Sequence, residues 1–252
     1  MVRGSAVRSV VVTRIFTAAG RAALVAGTVL VGVGCGGGGT TRAAQNRSVA
    51  EQAGLPNDVA DLFALAAKSS DATYRVSVNT TDATGKPVQI TTSQRPPDRR
   101  VDVFNADGTV DASIATKDGA FQCTQTNNQW QCGQLGSHAS ADSGVLATDT
   151  VRQAADRFRQ RAADYDFRVE QRSVANANAT CLVTNRKPGH DQDPTLGASA
   201  TLCLSAEGVP LLVQTPTGSV TAVEYSTTVP DNAFDLPASP TTTTSPPPAG
   251  TN

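Results

Sequence analysis

Apolar residues fall along this chain in three regimes: an unbroken block near the start, helical spacing in two places, and two-residue alternation over much of the remainder. The alternation begins at Tyr74, Val76 and Val78, each separated by a polar neighbour, as in a strand buried on one face. Gly85 marks a turn into Val88-Gln-Ile90-Thr-Thr, and Pro96-Pro97-Asp98 breaks the chain before Val101-Asp-Val103-Phe104. Asp107-Gly108 and Asp118-Gly119 are hairpin signals on either side of Val110–Ile114. Phe121-Gln-Cys123 and Trp130-Gln-Cys132 read as a further hairpin across Asn127-Asn128. Strands resume at Phe167–Val169, Thr180–Val183, Thr201–Leu204, Leu211–Val213 and Val220–Tyr225, with turns at Gly208 and Gly218.

Helical spacing governs two stretches. Val59, Leu62, Phe63 and Ala66 follow Asn57 as N-cap, with Asp58 and Asp61 in the first turn. From Thr148 to Tyr165, the residues Val151, Ala154, Ala155, Phe158 and Ala162 form one stripe, with the arginines mostly off it. The order is helix, antiparallel meander, helix pair, antiparallel meander. Short strands joined by hairpins predict an α+β fold: one curved antiparallel sheet with the helices packed on one face. Each helical stripe fits either ordinary core or the wall of a ligand cavity. Val59, Leu62, Phe63, Val151, Ala155 and Phe158 are the cavity candidates.

The unbroken apolar block, Ala22 to Gly34, follows Arg3, Arg8, Arg14 and Arg21 with no acidic residue among them. At ~1.5 Å per residue it falls short of a ~30 Å bilayer core, so residues 1–34 read as an export signal. The signal ends in Val31-Gly32-Val33-Gly34-Cys35, which resembles a bacterial lipobox, with Gly32 where a large aliphatic is usual. The resemblance implies an acylated Cys35 and a protein anchored by lipid to the extracytoplasmic face of the cell membrane. Residues 35–54, rich in Gly, Thr and Gln, read as a flexible tether. Residues 55–237 form the folded domain, and the Thr/Pro-rich 238–252 form a disordered tail.

Beyond Cys35 the chain has four cysteines, Cys123, Cys132, Cys181 and Cys203. An even count behind an export signal reads as two disulfides in an oxidising compartment. Three pairings remain open, with proximity favouring Cys123–Cys132 and Cys181–Cys203. No spacing suits zinc.

Three pieces carry a family resemblance: Gln94-Arg-Pro-Pro-Asp-Arg-Arg-Val-Asp102, Glu207-Gly-Val-Pro-Leu-Leu212 and Phe234-Asp-Leu-Pro237. With the element order, they make residues 72–237 similar to the LolA/LolB-like bacterial lipoproteins, above all the actinobacterial LprG/LppX-type branch. The resemblance implies a half-barrel that wraps helices around an apolar cavity, and lipid carriage or sensing.

Groups able to do chemistry are few. His138 and His190 both sit in polar loops, and Asp191 and Asp193 lack an EF-hand pattern. Asp98, Asp102, Asp107, Asp111 and Asp118 fall near strand ends, where turn formation and edge protection explain them. No GxSxG, HExxH, P-loop or GxGxxG motif is placed to act. The expectation is therefore no catalytic residue, no metal and no cofactor. A net charge of −1 gives no reason to expect nucleic acid. The sequence-based reading is a monomeric, non-enzymatic, lipid-anchored envelope protein that binds a lipid or lipoglycan between sheet and helices. The alternative is an interaction module that binds a protein or glycan partner and has no internal ligand.

Overall fold

The computed structural model describes residues 39–82, 84–135, 148–190, 192 and 196–241, and of 39–41 and 148–154 only the backbone. Six strands follow one another first: β1 (Tyr74–Thr81), β2 (Pro87–Arg95), β3 (Asp98–Phe104), β4 (Val110–Thr116), β5 (Gly119–Thr126) and β6 (Gln129–Gln134). A second series comprises β7 (Tyr165–Val174), β8 (Ala177–Arg186), β9 (Ser199–Leu204), β10 (Pro210–Thr215) and β11 (Gly218–Ser226), and β12 (Pro240–Thr241) ends it. All twelve belong to one open sheet, in the order β12-β6-β5-β4-β3-β2-β1-β11-β10-β9-β8-β7. Two antiparallel meanders thus run outward from a seam where β11 pairs with β1. Register shifts at Ser77/Val78 and at Pro210/Leu212 bend the sheet on the second-meander side.

The turns follow the chemistry of their residues. Asn127 and Asn128 both adopt left-handed φ, 51° and 63°, which suits a two-residue hairpin loop. The same geometry recurs at Ala175 and Asn176, where sequence gives little warning because alanine seldom adopts it. That turn lets β7 and β8 reach ten residues each, well beyond the strands expected at Phe167–Val169 and Thr180–Val183.

Among the described residues three helices accompany the sheet: α1 (Gly39–Gln52), α2 (Asn57–Ala67), extended by a 3-10 turn Lys68–Ser70, and α3 (Thr148–Arg161). Val49, Ala50, Val59, Leu62, Phe63 and Ala155 pack with Leu182 and Leu204 in one apolar cluster. The helices therefore lie on the face that bears Leu182, and their main sheet contacts are with β7, β8 and β9. This is the α+β arrangement expected, with the helices on one face.

Strand register carries that face across the molecule, because paired residues point the same way and neighbours along a strand point opposite ways. Leu182 pairs with Leu202, Leu202 with Val213, and Val213 with Val220. Ala222 pairs with Val78, Val78 with Ile90, Ile90 with Val103, Val103 with Asp111, and Asp111 with Thr124. Cys181 and Cys203 therefore face away from the helices, as do Cys123 and Cys132. Each pair is directly opposite in register and forms a disulfide, with Cα atoms 4.0 Å apart for Cys123–Cys132 and 3.9 Å for Cys181–Cys203.

The opposite face of the first meander has its own cover. Arg95 donates to the Val229 carbonyl at 2.7 Å and lies over the Phe234 ring, while Arg100 reaches the carbonyls of Ala233 and Asp235. These contacts pin the closing segment so that Leu236 and Ala238 pack against Ala112, Ile114, Phe121 and the Cys123–Cys132 bridge.

Four expectations change. The stretch read as part of a tether is helical over Gly39–Gln52. It lacks an apolar period because few of its residues are buried: Val49 and Ala50 enter the core, and buried Asn46 donates to the Phe63 carbonyl. Arg47 holds both Glu51 and Asp61. Asn57 is the first helical residue and Pro56 occupies the N-cap, which a missing N–H does not penalise. Between β6 and β7 the described residues hold one helix, α3, and not a helix pair. The start of the tail is also ordered, since Pro240 and Thr241 pair in parallel with β6 and Thr241 Oγ1 donates to the Cys132 carbonyl at 3.1 Å. The export signal, Cys35, His138, Asp191, Asp193 and the tail beyond residue 241 lie outside the described residues.

Two stability measurements check this description. Replacing both cysteines of a pair by alanine should lower unfolding free energy by ~2.5 kcal/mol for Cys123/Cys132 and ~3.5 kcal/mol for Cys181/Cys203, read from urea midpoints. Ala50→Leu should destabilise by roughly 1–3 kcal/mol through overpacking between helices, whereas a free tether would tolerate it.

Candidate functional site

The helix-side face divides into two halves. Over β7–β9, the helices fill it. Phe63 and Phe158 meet edge-on with ring centroids 5.9 Å apart, and Phe158 meets Phe167 at 5.2 Å. Val59, Leu62, Phe63, Ala155 and Phe158, five of the six cavity candidates, come together here with Leu182, Leu202, Leu204 and Val169. They pack against one another and the sheet as core. The side chain of Val151, the sixth, lies outside the described residues.

The other half runs across β1, β2 and β3, away from the main helix contacts. Two lateral rows of this half are largely apolar: Val78, Ile90 and Val103 form one, and Val76, Thr92 and Val101 the next. Val76 and Val103 are buried, whereas Val78, Ile90 and Val101 are half-buried. The third row, at the end nearest the 3-10 turn, changes character. It reads Tyr74, Gln94, Arg99, Ala115 and Ala120 from β1 to β5.

Polar groups in that third row are held deep. Gln94 directs its side-chain amide nitrogen at the carbonyls of Ser69, Ser70 and Ala72, at 2.7, 3.2 and 3.0 Å. This ties the end of α2 to the sheet. Tyr74 is buried, and burial raises its pKa despite the Arg99 charge nearby. Arg99 is half-buried as a residue, but its Nε has no exposed surface and no hydrogen-bond partner. Burial lowers its pKa, with Tyr74 acting in the other direction. A charged side chain in this position was legible in principle, because Arg99, Val101 and Val103 share one parity in β3.

A second polar cluster sits at the β9–β10 turn. Tyr225 and Ser205 both donate to the Glu207 carboxylate, the latter at 3.0 Å. The turn is pressed against the helix: a Cβ at Gly208, whose φ is +77°, would come within 2.0 Å of the Leu65 carbonyl oxygen. Of the aspartates expected to serve turns and edges, Asp107 caps a turn, Asp102 and Asp111 pair inside interior strands, and Asp98 Oδ1 is buried without a partner. Asp107 accepts from the Thr109 amide and hydroxyl, Asp102 pairs with Arg100 at 2.9 Å, and Asp111 accepts from Thr124. His190, in the turn after β8, places Nδ1 3.1 Å from Asp164. Among the described residues no group of three or more His, Cys, Asp or Glu side chains is arranged to hold a metal ion.

No protein-family model matches the chain, and no curated protein is significantly similar to it. Among solved structures, the crystal structure of MucB is 17% identical with a TM-score of 0.36, over 73% of this chain and 64% of that one. An uncharacterized conserved protein from Thermus thermophilus is 13% identical with a TM-score of 0.38, over 71% of this chain and 93% of that one. This chain thus spans less than two thirds of the MucB chain. Likenesses this distant assign neither family nor activity, and the architecture rests on strand order and register.

The Glu207 cluster gives a pH test. Burial alone would raise the Glu207 pKa, but the hydrogen bonds from Tyr225 and Ser205 outweigh it and the net shift is downward. A carboxylate depressed in the folded state stabilises the fold above its unfolded pKa, and that contribution is lost as pH falls through the folded value. Tyr225→Phe should therefore destabilise by ~1 kcal/mol at pH 7. The difference from wild type should shrink on acidification below the ordinary glutamate pKa, as read from urea midpoints at both pH values.

Proposed function

We propose that this is a non-enzymatic, lipid-anchored envelope protein of the LolA/LolB kind, which binds an apolar ligand between its sheet and its helices. The observation that carries the reading is the continuation of the apolar helix-side face over β1–β3, where Val78, Ile90 and Val101 stay half-buried beside the buried Val76 and Val103, beyond the strands that the helices chiefly contact. A sheet face of that composition gains ~25 cal/mol per Å² when an apolar group covers it. Two further features agree with the address. The export signal and lipobox-like Cys35 come from the sequence, and two cross-strand disulfides suit an oxidising compartment. Val59, Leu62, Phe63, Ala155 and Phe158 then serve as core that anchors the helices over β7–β9, and the ligand takes the face over β1–β3.

Native mass spectrometry tests this. The chain lacking residues 1–35 keeps α1 whole and can be exported to an oxidising compartment as a soluble protein. Extra native mass that disappears on denaturation and yields an acylated species is the expected result. A native mass equal to the bare oxidised chain, with a stoichiometric protein partner recovered in its place, would favour the interaction module.

A further inference from the structure

The third lateral row holds a half-buried arginine to which no described residue supplies a carboxylate. Among the described residues no carboxylate pairs with Arg99, and its Nε is both inaccessible and unpartnered. Its terminal nitrogens keep partial access, so a guanidinium so placed can gain an anion from outside the fold. Two carboxylates of the helix-side region are committed elsewhere: Asp111 to Asn105 and Thr124, and Glu207 to Tyr225 and Ser205. Gln94, beside Arg99, spends its amide on the helix-end carbonyls. On the other side stand Ala115 and Ala120, whose single methyl groups crowd the guanidinium least.

We propose that Arg99 binds the anionic headgroup, a carboxylate or a phosphate, of an amphiphile whose apolar chain runs along Val101, Val103, Ile90 and Val78. This rests on the ligand-binding reading above and narrows it to acidic amphiphiles. The geometry fits the chemistry. A guanidinium offers several N–H donors in one plane and matches the two oxygens of a carboxylate or phosphate. From the Arg99 row to the Val103 row is four residues along β3, ~13 Å at ~3.3 Å per residue, so a chain of ordinary acyl length can cover both apolar rows while its head reaches the arginine. Tyr74 lies in the same row, close enough for its phenol to interact with the Arg99 charge.

The test uses the full chain in a non-ionic detergent, which presents the same apolar background to every probe. Cis-parinaric acid and its methyl ester share one fluorescent chain and differ in headgroup charge. The wild-type protein should bind the acid about tenfold or more tighter than the ester. Arg99→Gln should abolish that preference and leave ester binding unchanged, and Arg99→Lys should restore part of it. Competition by phosphatidic acid but not by diacylglycerol would assign the site to phosphate-headed lipids, and displacement by oleic acid alone to carboxylates. Inorganic phosphate without a chain should displace neither probe. Equal wild-type binding of acid and ester overturns the inference and leaves the apolar-ligand reading standing. Binding of neither overturns both. If Arg99→Gln fails to fold, the wild-type ratio of acid to ester still decides.

Discussion

The antiparallel pairing of β1 with β11 is the constraint on which the rest depends. Without it the chain would make two separate meanders, each with an exposed edge at the seam. With it they become one sheet, and residues far apart in sequence share one surface: Ser77 donates to Glu224 across a separation of 147 residues. The seam carries an extra residue, Val223, where the register shifts at Ser77/Val78. That bulge increases the local twist and brings Tyr225 over to Glu207 and Ser205 at the β9–β10 turn, directly beneath α2.

Once the sheet is continuous, its two faces are covered in opposite halves. The helices close one face over β7–β9, and the segment from Val229 to Ala238 closes the other over the first meander. Arginines fix this second cover: Arg95 and Arg100 alternate with Gln94 and Arg99 so that two point to the closing segment and two to the helix side. The disulfides both lie on the face away from the helices, and each locks a hairpin near one edge of the sheet. Among the described residues, what the helices leave is a half-buried apolar stretch of the helix-side face at Val78, Ile90 and Val101, bordered by the packed Tyr74 and Val76 and ended by Gln94 and Arg99. The functional reading follows from that remainder.

Most of the strands were legible because alternation is a local signal. Tyr74, Val76 and Val78 announce β1, and Asn127-Asn128 announces its hairpin by tolerating left-handed backbone. The favoured cysteine pairs were found for the same reason, since each joins strands adjacent in sequence. Three features were hidden. The helix α1 was invisible to hydrophobic periodicity, because Asn46, Val49 and Ala50 are too few and too mixed to make an apolar stripe. The Ala175-Asn176 turn carried no local signal, because strand pairing on both sides holds alanine in a conformation it disfavours. The β1–β11 seam is a long-range contact with no local mark. Arg99 was half-legible: it stood in the resemblance motif and shares strand parity with Val101 and Val103, but only register sets it beside Gln94 and Tyr74.

The central claim is that the helix-side face has a permanent half and a ligand half. Hydrogen–deuterium exchange on the protein as purified and after lipid extraction measures this most directly. The account predicts faster exchange after extraction in β1, β2 and β3, around Val76, Ile90 and Val101, with β7–β9 unchanged beneath α1–α3. Identical exchange in both samples, or a change confined to β7–β9, would contradict it.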